Sequence, residues 1–377
     1  MVYFDNAATS FPKPRMTVEA ANVAFTRYGA NPGRGGHKMA LETAQMVYRA
    51  REQLAQLLGI QAPERVVFTL NCTQAANQAI KGAVREGDHV IISSMEHNSV
   101  RRPVEALQRA GICRYDIARV EIDSPEKTVE NFRALIRPNT RLICCVHGSN
   151  VFGTVQPVEK ICALAHENGA LFLLDAAQTA GVLPIDCRQL PADFICLACH
   201  KGLYAPTALG ALLVGGDTEL QTLLEGGSGS LSLEPDMPPF LPDRLEAGTV
   251  NTTGIAGLTG GLRFVRQHTV PRIYREEMGL LERLHKGLSG IKGVVLYNHP
   301  RLPVLSFGIE GMSGEAAAGR LGELGYALRG GFHCSPLAHE TMGTLETGTA
   351  RIGIGAFNTA MQADGLLRAV RQVVKES

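Results

Sequence analysis

The sequence lacks an excess of charge: 37 Lys and Arg stand against 36 Asp and Glu. A near-neutral chain offers no basic surface for nucleic acid or for an anionic membrane. Long apolar runs are also missing. Runs such as Ala170 to Leu174 fall far short of the roughly 20 residues that cross a bilayer. At the start, Met1-Val2-Tyr3-Phe4-Asp5 shows no basic segment leading into an apolar stretch, so no signal peptide is expected. Repeats and low-complexity tracts are absent as well. The expectation is a soluble, cytoplasmic protein with neither a nucleic-acid nor a membrane partner.

Cysteine is present in an odd number, nine, which fits a reducing compartment better than a disulfide framework. Cys144 and Cys145 lie inside the apolar run Leu142 to Val146, and Cys162 falls in a helical pattern, where a thiol serves as a small hydrophobe. Cys196-Leu197-Ala198-Cys199 has the spacing of a zinc or redox pair. No second such pair or His pair accompanies it, and its alternation reads as a strand end, so no metal is expected. Cys334 differs. It stands among Gly330, Gly331, His333 and Pro336, a loop composition, and its setting invites a chemical role.

With 377 residues, 45% of them apolar, the chain can build two domains around a large core. Short apolar runs recur at Val66 to Thr69, Val90 to Ser93, Leu142 to Val146, Leu171 to Leu174, Phe194 to Leu197 and Ala211 to Val214. Helical patterns separate several of them, for example Thr73 to Val84 and Val158 to Glu167. This alternation predicts an α/β fold with a largely parallel sheet and helices on both faces. Lys38 to Leu58 carries a broad apolar stripe and stops at Gly59, which predicts a long helix. Glu225 to Pro242, rich in Gly, Ser and Pro, reads as a surface loop. From about Gly257 a helical region, a strand at Val304 to Ile309 and a last helix at Ala360 to Lys375 suggest a second, smaller domain.

Leu174-Asp175-Ala176-Ala177-Gln178 closes one apolar run, and Cys199-His200-Lys201-Gly202 follows the next. Placed at the carboxyl ends of neighbouring strands, Asp175 and Lys201 would reach one crevice. Pyridoxal phosphate (PLP) requires that pairing: a lysine amine to form the Schiff base and a carboxylate to keep the pyridine nitrogen protonated. Its phosphate needs N–H donors at a helix start. Leu70-Asn71-Cys72-Thr73 supplies a strand end, a polar turn and a helix opening, although Asn71 or Thr73 would serve equally well as a plain cap.

With these pieces placed, the chain resembles the PLP-dependent cysteine desulfurase and selenocysteine lyase family of the aminotransferase class V superfamily. The resemblance runs nearly end to end. It rests on Phe4-Asp5-Asn6-Ala7-Ala8-Thr9, Thr73 to Asn77, Glu96-His97-Asn98-Ser99 and Ser149-Asn150-Val151-Phe152-Gly153-Thr154. It continues through Asp175 to Gln178, His200-Lys201, Glu246 to Thr252, Arg329 to Cys334, and Arg351 with Asn358-Thr359, all in the family's order. The form Arg329-Gly330-Gly331-Phe332-His333-Cys334 is similar to the branch with a short catalytic loop. Gly348 to Gly353 with Asn358-Thr359 is similar to the subgroup called cysteine desulfurase family proteins.

The resemblance implies PLP-dependent fold type I: a large domain, residues 1–256, with a mostly parallel seven-stranded sheet, and a smaller α+β domain, residues 257–377, carrying the cysteine loop. Residues 1–15 would pack near the small domain. Lys201 would bind PLP covalently and move the Cα proton, Asp175 would pair with the ring nitrogen, and Gln178 would bond the phenolic oxygen. His97 would stack on the ring and pass protons near neutrality. Thr73, Cys72 and His200 would hold the phosphate, with Thr249 reaching it from the other copy of a homodimer. Asn150 would sit by ring and substrate. Arg351 would clamp the substrate carboxylate, with Ala8, Arg34 and Arg329 nearby.

The implied reaction takes sulfur from L-cysteine to give L-alanine and a persulfide on Cys334 for a sulfur-acceptor protein. His333 or an arginine would help form the thiolate, and Gly330-Gly331 would let the loop move. Selenocysteine lyase is the alternative, because selenide can leave without attack by Cys334. Another PLP lyase or epimerase, or a non-catalytic sulfur-carrier scaffold, would share the fold. The chain departs from the family pattern in three places. Ala198 and Cys199 stand where a serine and glycine usually precede His-Lys, which removes a phosphate hydroxyl. Phe332 replaces a common histidine. The segment from Cys334 to Arg351 is slightly longer than the short-loop form.

Overall fold

Short runs of Val, Ile, Leu and Phe bounded by turns can bury both faces only in a sheet covered on two sides. In the structure, a computed structural model that describes residues 1–33, 36–60, 62–216 and 218–376, those runs are strands. β1 (Val2–Tyr3) stands apart. β2 (Val66–Thr69), β3 (Asp88–Ser93), β4 (Cys113–Ala118), β5 (Thr140–Val146), β6 (Leu171–Asp175), β7 (Phe194–Ala198) and β8 (Gly210–Val214) make one seven-stranded sheet, ordered β2-β8-β7-β6-β5-β3-β4. The pairs from β7 through β4 are parallel, and β8 runs against both β7 and β2. The expected α/β architecture is present.

The two-residue period of a strand sorts its side chains between two cores. Ile143 and Cys145 of β5 join Leu54, Ile161 and Ile255 from the helices Lys38–Leu58, Val158–Glu167 and Thr252–His268. Leu142 and Cys144 join Ile80 and Val104 from the helices Cys72–Ala83 and Asn98–Arg109 on the other side. Cys196 and Cys199 likewise enter opposite cores, so the CxxC pair does not converge. All nine cysteines are unpaired.

The helix Lys38–Leu58 spans the expected residues and ends at Gly59, whose φ of 74° is the left-handed turn that glycine accepts at least cost. Residues 225–242 form no helix or strand. The helix Thr252–His268 packs on Arg15–Arg27 and Lys38–Leu58, and the expected boundary at 256/257 falls within it.

Beyond that helix, β9 (Val294–Leu296), β10 (Val304–Ile309), β12 (Arg329–Gly331) and β13 (Thr349–Gly353) form an antiparallel sheet, β12-β13-β10-β9, while β11 (Tyr326–Ala327) pairs with β1. Leu281, Leu321, Leu366 and Val370 from the helices Val270–Ser289, Gly314–Glu323 and Ala360–Glu376 close its core, and Phe4 is fully buried among them. The first residues of the chain are therefore built into this C-terminal body. Among the described residues no helix is long and apolar enough to cross a membrane.

Candidate active site

In an open α/β sheet, ligands bind outside the carboxyl ends of the strands. A cavity of about 220 Å³ lies there, lined by Asp175 from the end of β6 and by Ala198, His200 and Lys201 from the end of β7. Cys72 and Thr73 enter it from the start of a helix, and His97 from the loop after β3. Ala8, Asn150, Gln178, Arg329, His333, Cys334 and Arg351 complete the wall. Thus the sheet supplies one side of the cavity, and the N-terminal segment and the small antiparallel sheet supply the other.

Asp175 is 2% exposed. Its Oδ1 accepts the Ala177 N–H at 2.9 Å and lies 3.7 Å from the Cys72 Sγ. Burial pushes its carboxyl up, while the Ala177 N–H and the Lys201 charge pull it back. Burial pushes the Lys201 amine down, which favours the neutral, nucleophilic form, and Cys72 and Asp175 beside it oppose that. A buried amine pushed toward its nucleophilic form beside a buried carboxyl suits a cofactor that needs both.

His97 caps the helix Asn98–Arg109: the Ser99 N–H donates to its Nδ1 at 3.0 Å, which leaves the ring proton on Nε2. The sequence led us to expect titration near neutrality. Instead burial, reinforced by Lys201, Arg329, Arg102 and Arg351, holds it down at about 4, so it is neutral at pH 7. The same holds for His200, pushed to about 4 by burial and by Lys201 and Lys13.

Arg351 is 2% exposed and lies in β13. Its Nη1 donates to the Asn150 carbonyl at 2.9 Å and its Nη2 to Asp5 Oδ1 at 2.7 Å, while Nε is buried without a partner among the described residues. Asn150 is itself fixed: its Nδ2 donates to the His333 carbonyl at 2.7 Å, and its Oδ1 accepts from Ser335 at 2.7 Å. His200 Nδ1 and His333 Nδ1 are the other buried atoms of this wall with no partner among the described residues. An anion with one group near Arg351 Nε and one near His200 Nδ1 fits the donor set that the cavity offers.

Cys334 is exposed and held by its carbonyl, which accepts the Asn98 N–H at 2.8 Å. Both His333 and Cys334 adopt left-handed backbone, at φ 50° and 60°, unusual for residues with a side chain. Of the two helpers expected for Cys334, the arginine is in reach: Arg329 Nη2 stands 3.9 Å from Sγ. His333 is turned to Thr349, with Nε2 3.1 Å from its carbonyl oxygen, and burial holds it neutral. Gly330-Gly331, expected as a hinge, lies in β12, where a Cβ on Gly330 would stand 2.3 Å from the Gly314 carbonyl oxygen. The glycine there permits close packing.

Gln178 donates from Nε2 to the Ala7 carbonyl at 2.9 Å, which ties the N-terminal segment to the cavity. Thr249 is the residue that the fold does not bring in. It faces a different hollow of about 450 Å³, where Asn31 donates to its Oγ1 at 3.2 Å. Arg34 lies outside the described residues. Sequence reasoning gave no role to Asp5, Ser99 or Lys13. Lys13 donates to the His200 carbonyl at 2.6 Å, and burial pushes its amine down to about 8. Asp5 and Ser99 sit inside the quoted motifs, the one signal that pointed to them.

The aminotransferase class-V family matches residues 2–366. A probable cysteine desulfurase of Methanothermobacter thermautotrophicus is 34% identical over 99% of this chain and 94% of its own length. Among solved structures, a cysteine desulfurase of Thermococcus onnurineus in its apo form superposes with a TM-score of 0.91 at 27% identity, covering 100% of this chain and 95% of that one. The cysteine desulfurase CsdA of Escherichia coli gives 0.89, also at 27% identity, over 99% and 94%. Sequence family, fold and the ordering of the cavity agree, and the chain belongs to the aminotransferase class-V family.

Proposed function

We propose that this chain is a PLP-dependent cysteine desulfurase. The observation that carries the reading is the convergence of Lys201 and Asp175 with Arg351 and the exposed Cys334 on one cavity. PLP supplies an electron sink for a substrate amine once bound. Lys201 would hold it and, when freed, carry the Cα proton. Asp175 would face the ring nitrogen and Gln178 the phenolic oxygen. Thr73, the helix start at Cys72 and His200 would receive the phosphate. Neutral His97 would cover the ring face with its Nε2–H available. Arg351 would orient L-cysteine through its carboxylate, with Asn150, Ala8 and Arg329 around it.

The Cys334 thiolate, beside the Arg329 guanidinium, would attack the substrate sulfur. The Cβ–S bond breaks with its electron pair left on carbon, which is then protonated. The products are L-alanine and a Cys334 persulfide, exposed for transfer to an acceptor protein. A homodimer, in which Thr249 serves the neighbouring copy, and the division near residues 256/257 belong to the same reading.

The test is single-turnover reaction of PLP-loaded wild type and Cys334→Ala with L-cysteine and L-selenocysteine, scoring alanine and protein persulfide. Alanine from cysteine that disappears in the variant is the expected result. Turnover of selenocysteine alone, indifferent to Cys334, would make the protein a selenocysteine lyase. Silence with both would overturn the reading.

A further inference from the structure

The cavity holds a second thiol. Cys72 is the first residue of the helix Cys72–Ala83, fixed there by Asn71, whose side chain accepts the Gln74 N–H at 2.9 Å. It is 9% exposed and shares the cavity wall with Asp175. Its Sγ lies 3.7 Å from Asp175 Oδ1, the oxygen that already takes the Ala177 N–H at 2.9 Å. Two donors occupy the two lone-pair sites of Oδ1, so a group entering through the cavity meets Oδ2.

We propose that Cys72 is a positioning residue: its thiol donates to Asp175 Oδ1, keeps that carboxylate ionised with Oδ2 turned to the cavity, and thereby sets the protonation of the PLP ring nitrogen. The proposal rests on the reading of the site given above. Burial works against an ionised Asp175, and the influences opposing it are the Ala177 N–H, the Lys201 charge, the Cys72 thiol and Ser99. Lys201 is an inconstant member of that set, because its own amine is pushed toward neutrality. The amide, the thiol and Ser99 are constant. Burial, then the charge of Asp175, holds the Cys72 thiol well above its usual range, so it remains a donor and takes no part in sulfur transfer. Glu96 and Cys196 feel the charge of Asp175, which raises both further. No other side chain among the described residues makes a shorter recorded contact with Oδ1.

The experiment compares wild type with Cys72→Ala, Cys72→Val and Cys72→Ser, each loaded with PLP. It records the dissociation constant for PLP and the visible band of the bound cofactor, with its pH midpoint. Alanine removes the donor and leaves a gap, valine fills the space without donating, and serine donates more strongly. The expected result is that Ala and Val both move the band and weaken PLP binding by roughly threefold to tenfold, the worth of one hydrogen bond, while Ser restores both. Identical spectra and affinities across the four proteins would overturn the proposal. So would a change in Ala that Val repairs, since that is packing alone. A wild type that binds PLP without any visible band would overturn the reading of the site together with this proposal.

Discussion

Arg351 Nη2 donates to Asp5 Oδ1 at 2.7 Å, joining residues 346 positions apart at the edge of the cavity. The side chains are 2% and 21% exposed, so the guanidinium has left water, and among the described residues Asp5 is its one anionic partner. Removing that partner strands a buried charge, which costs far more than the pair contributes net. Asp5→Ala should therefore lower stability by about 3 kcal/mol, the low end for a buried pair because Asp5 retains some solvent. Urea unfolding of the two proteins measures it. A difference under about 0.5 kcal/mol, typical of a surface pair, would refute the assignment.

The partnerless Nε of Arg351 leads to a second expectation. With Nη1 and Nη2 engaged, the planar fork still has a donor to give an arriving carboxylate. A lysine brings one ammonium and no fork. Arg351→Lys should raise KM for L-cysteine at least about tenfold with a smaller change in kcat, the signature of lost substrate binding. An unchanged KM in steady-state kinetics would remove Arg351 from substrate recognition.

Gly330 carries a third. A Cβ there would stand 2.3 Å from the Gly314 carbonyl oxygen and 2.5 Å from Glu315 Cα, both backbone atoms that cannot swing aside. Gly330→Ala must push β12 off the helix Gly314–Glu323, and β12 carries Arg329, the residue beside Cys334. Overpacking of this kind costs about 1–3 kcal/mol. The expected variant melts lower and desulfurates more slowly. Wild-type values for both would mean that the strand has room to move.

Much of the large sheet was legible because strands buried on both faces read as uninterrupted apolar runs. Val66–Thr69 of that sheet and Val304–Ile309 of the small one match residue for residue, as do the helices Lys38–Leu58 and Val158–Glu167. β12 was not legible: Arg329-Gly330-Gly331 has no apolar alternation and is a strand only because β13 pairs with it. The helix Asn98–Arg109 hid behind Arg101, Arg102 and the internal Pro103, whose missing N–H reads as a break. At the site, Asp175 and Lys201 could be placed because each follows a strand. The Asp5–Arg351 pair could not, since no local spacing links residues so far apart. Nor could the neutrality of His97, which comes from burial among Lys201, Arg329, Arg102 and Arg351 rather than from its sequence neighbours.

The buried titratable groups set a pH optimum for the stability of the cofactor-free protein. His97, His147, His200 and His339 are each held at about 4, and His333 at about 2, chiefly by burial. Each has a folded pKa below its unfolded value of about 6.5, so the unfolded chain binds more protons below that pH and stability falls as pH drops from 6.5 toward 4. Glu96 and Glu277 have the opposite sign. Burial raises both to about 8, so their contribution is complete below about 4.5 and is lost as pH rises toward 8. Between 4.5 and 6.5 the five imidazoles outnumber the two carboxyls and stability rises with pH. Above 6.5 the imidazoles are neutral in both states, and the carboxyls turn the slope negative. Melting temperature against pH should peak near 6.5, and Glu96→Gln should flatten the decline on the alkaline side. The amines of Lys201 and Lys13, both pushed down by burial, add stability as pH rises toward their unfolded value of about 10.5 and oppose that decline. Glu96→Gln is therefore the deciding comparison: a slope from pH 6.5 to 8 identical to that of wild type would show that Glu96 is ionised in the folded protein.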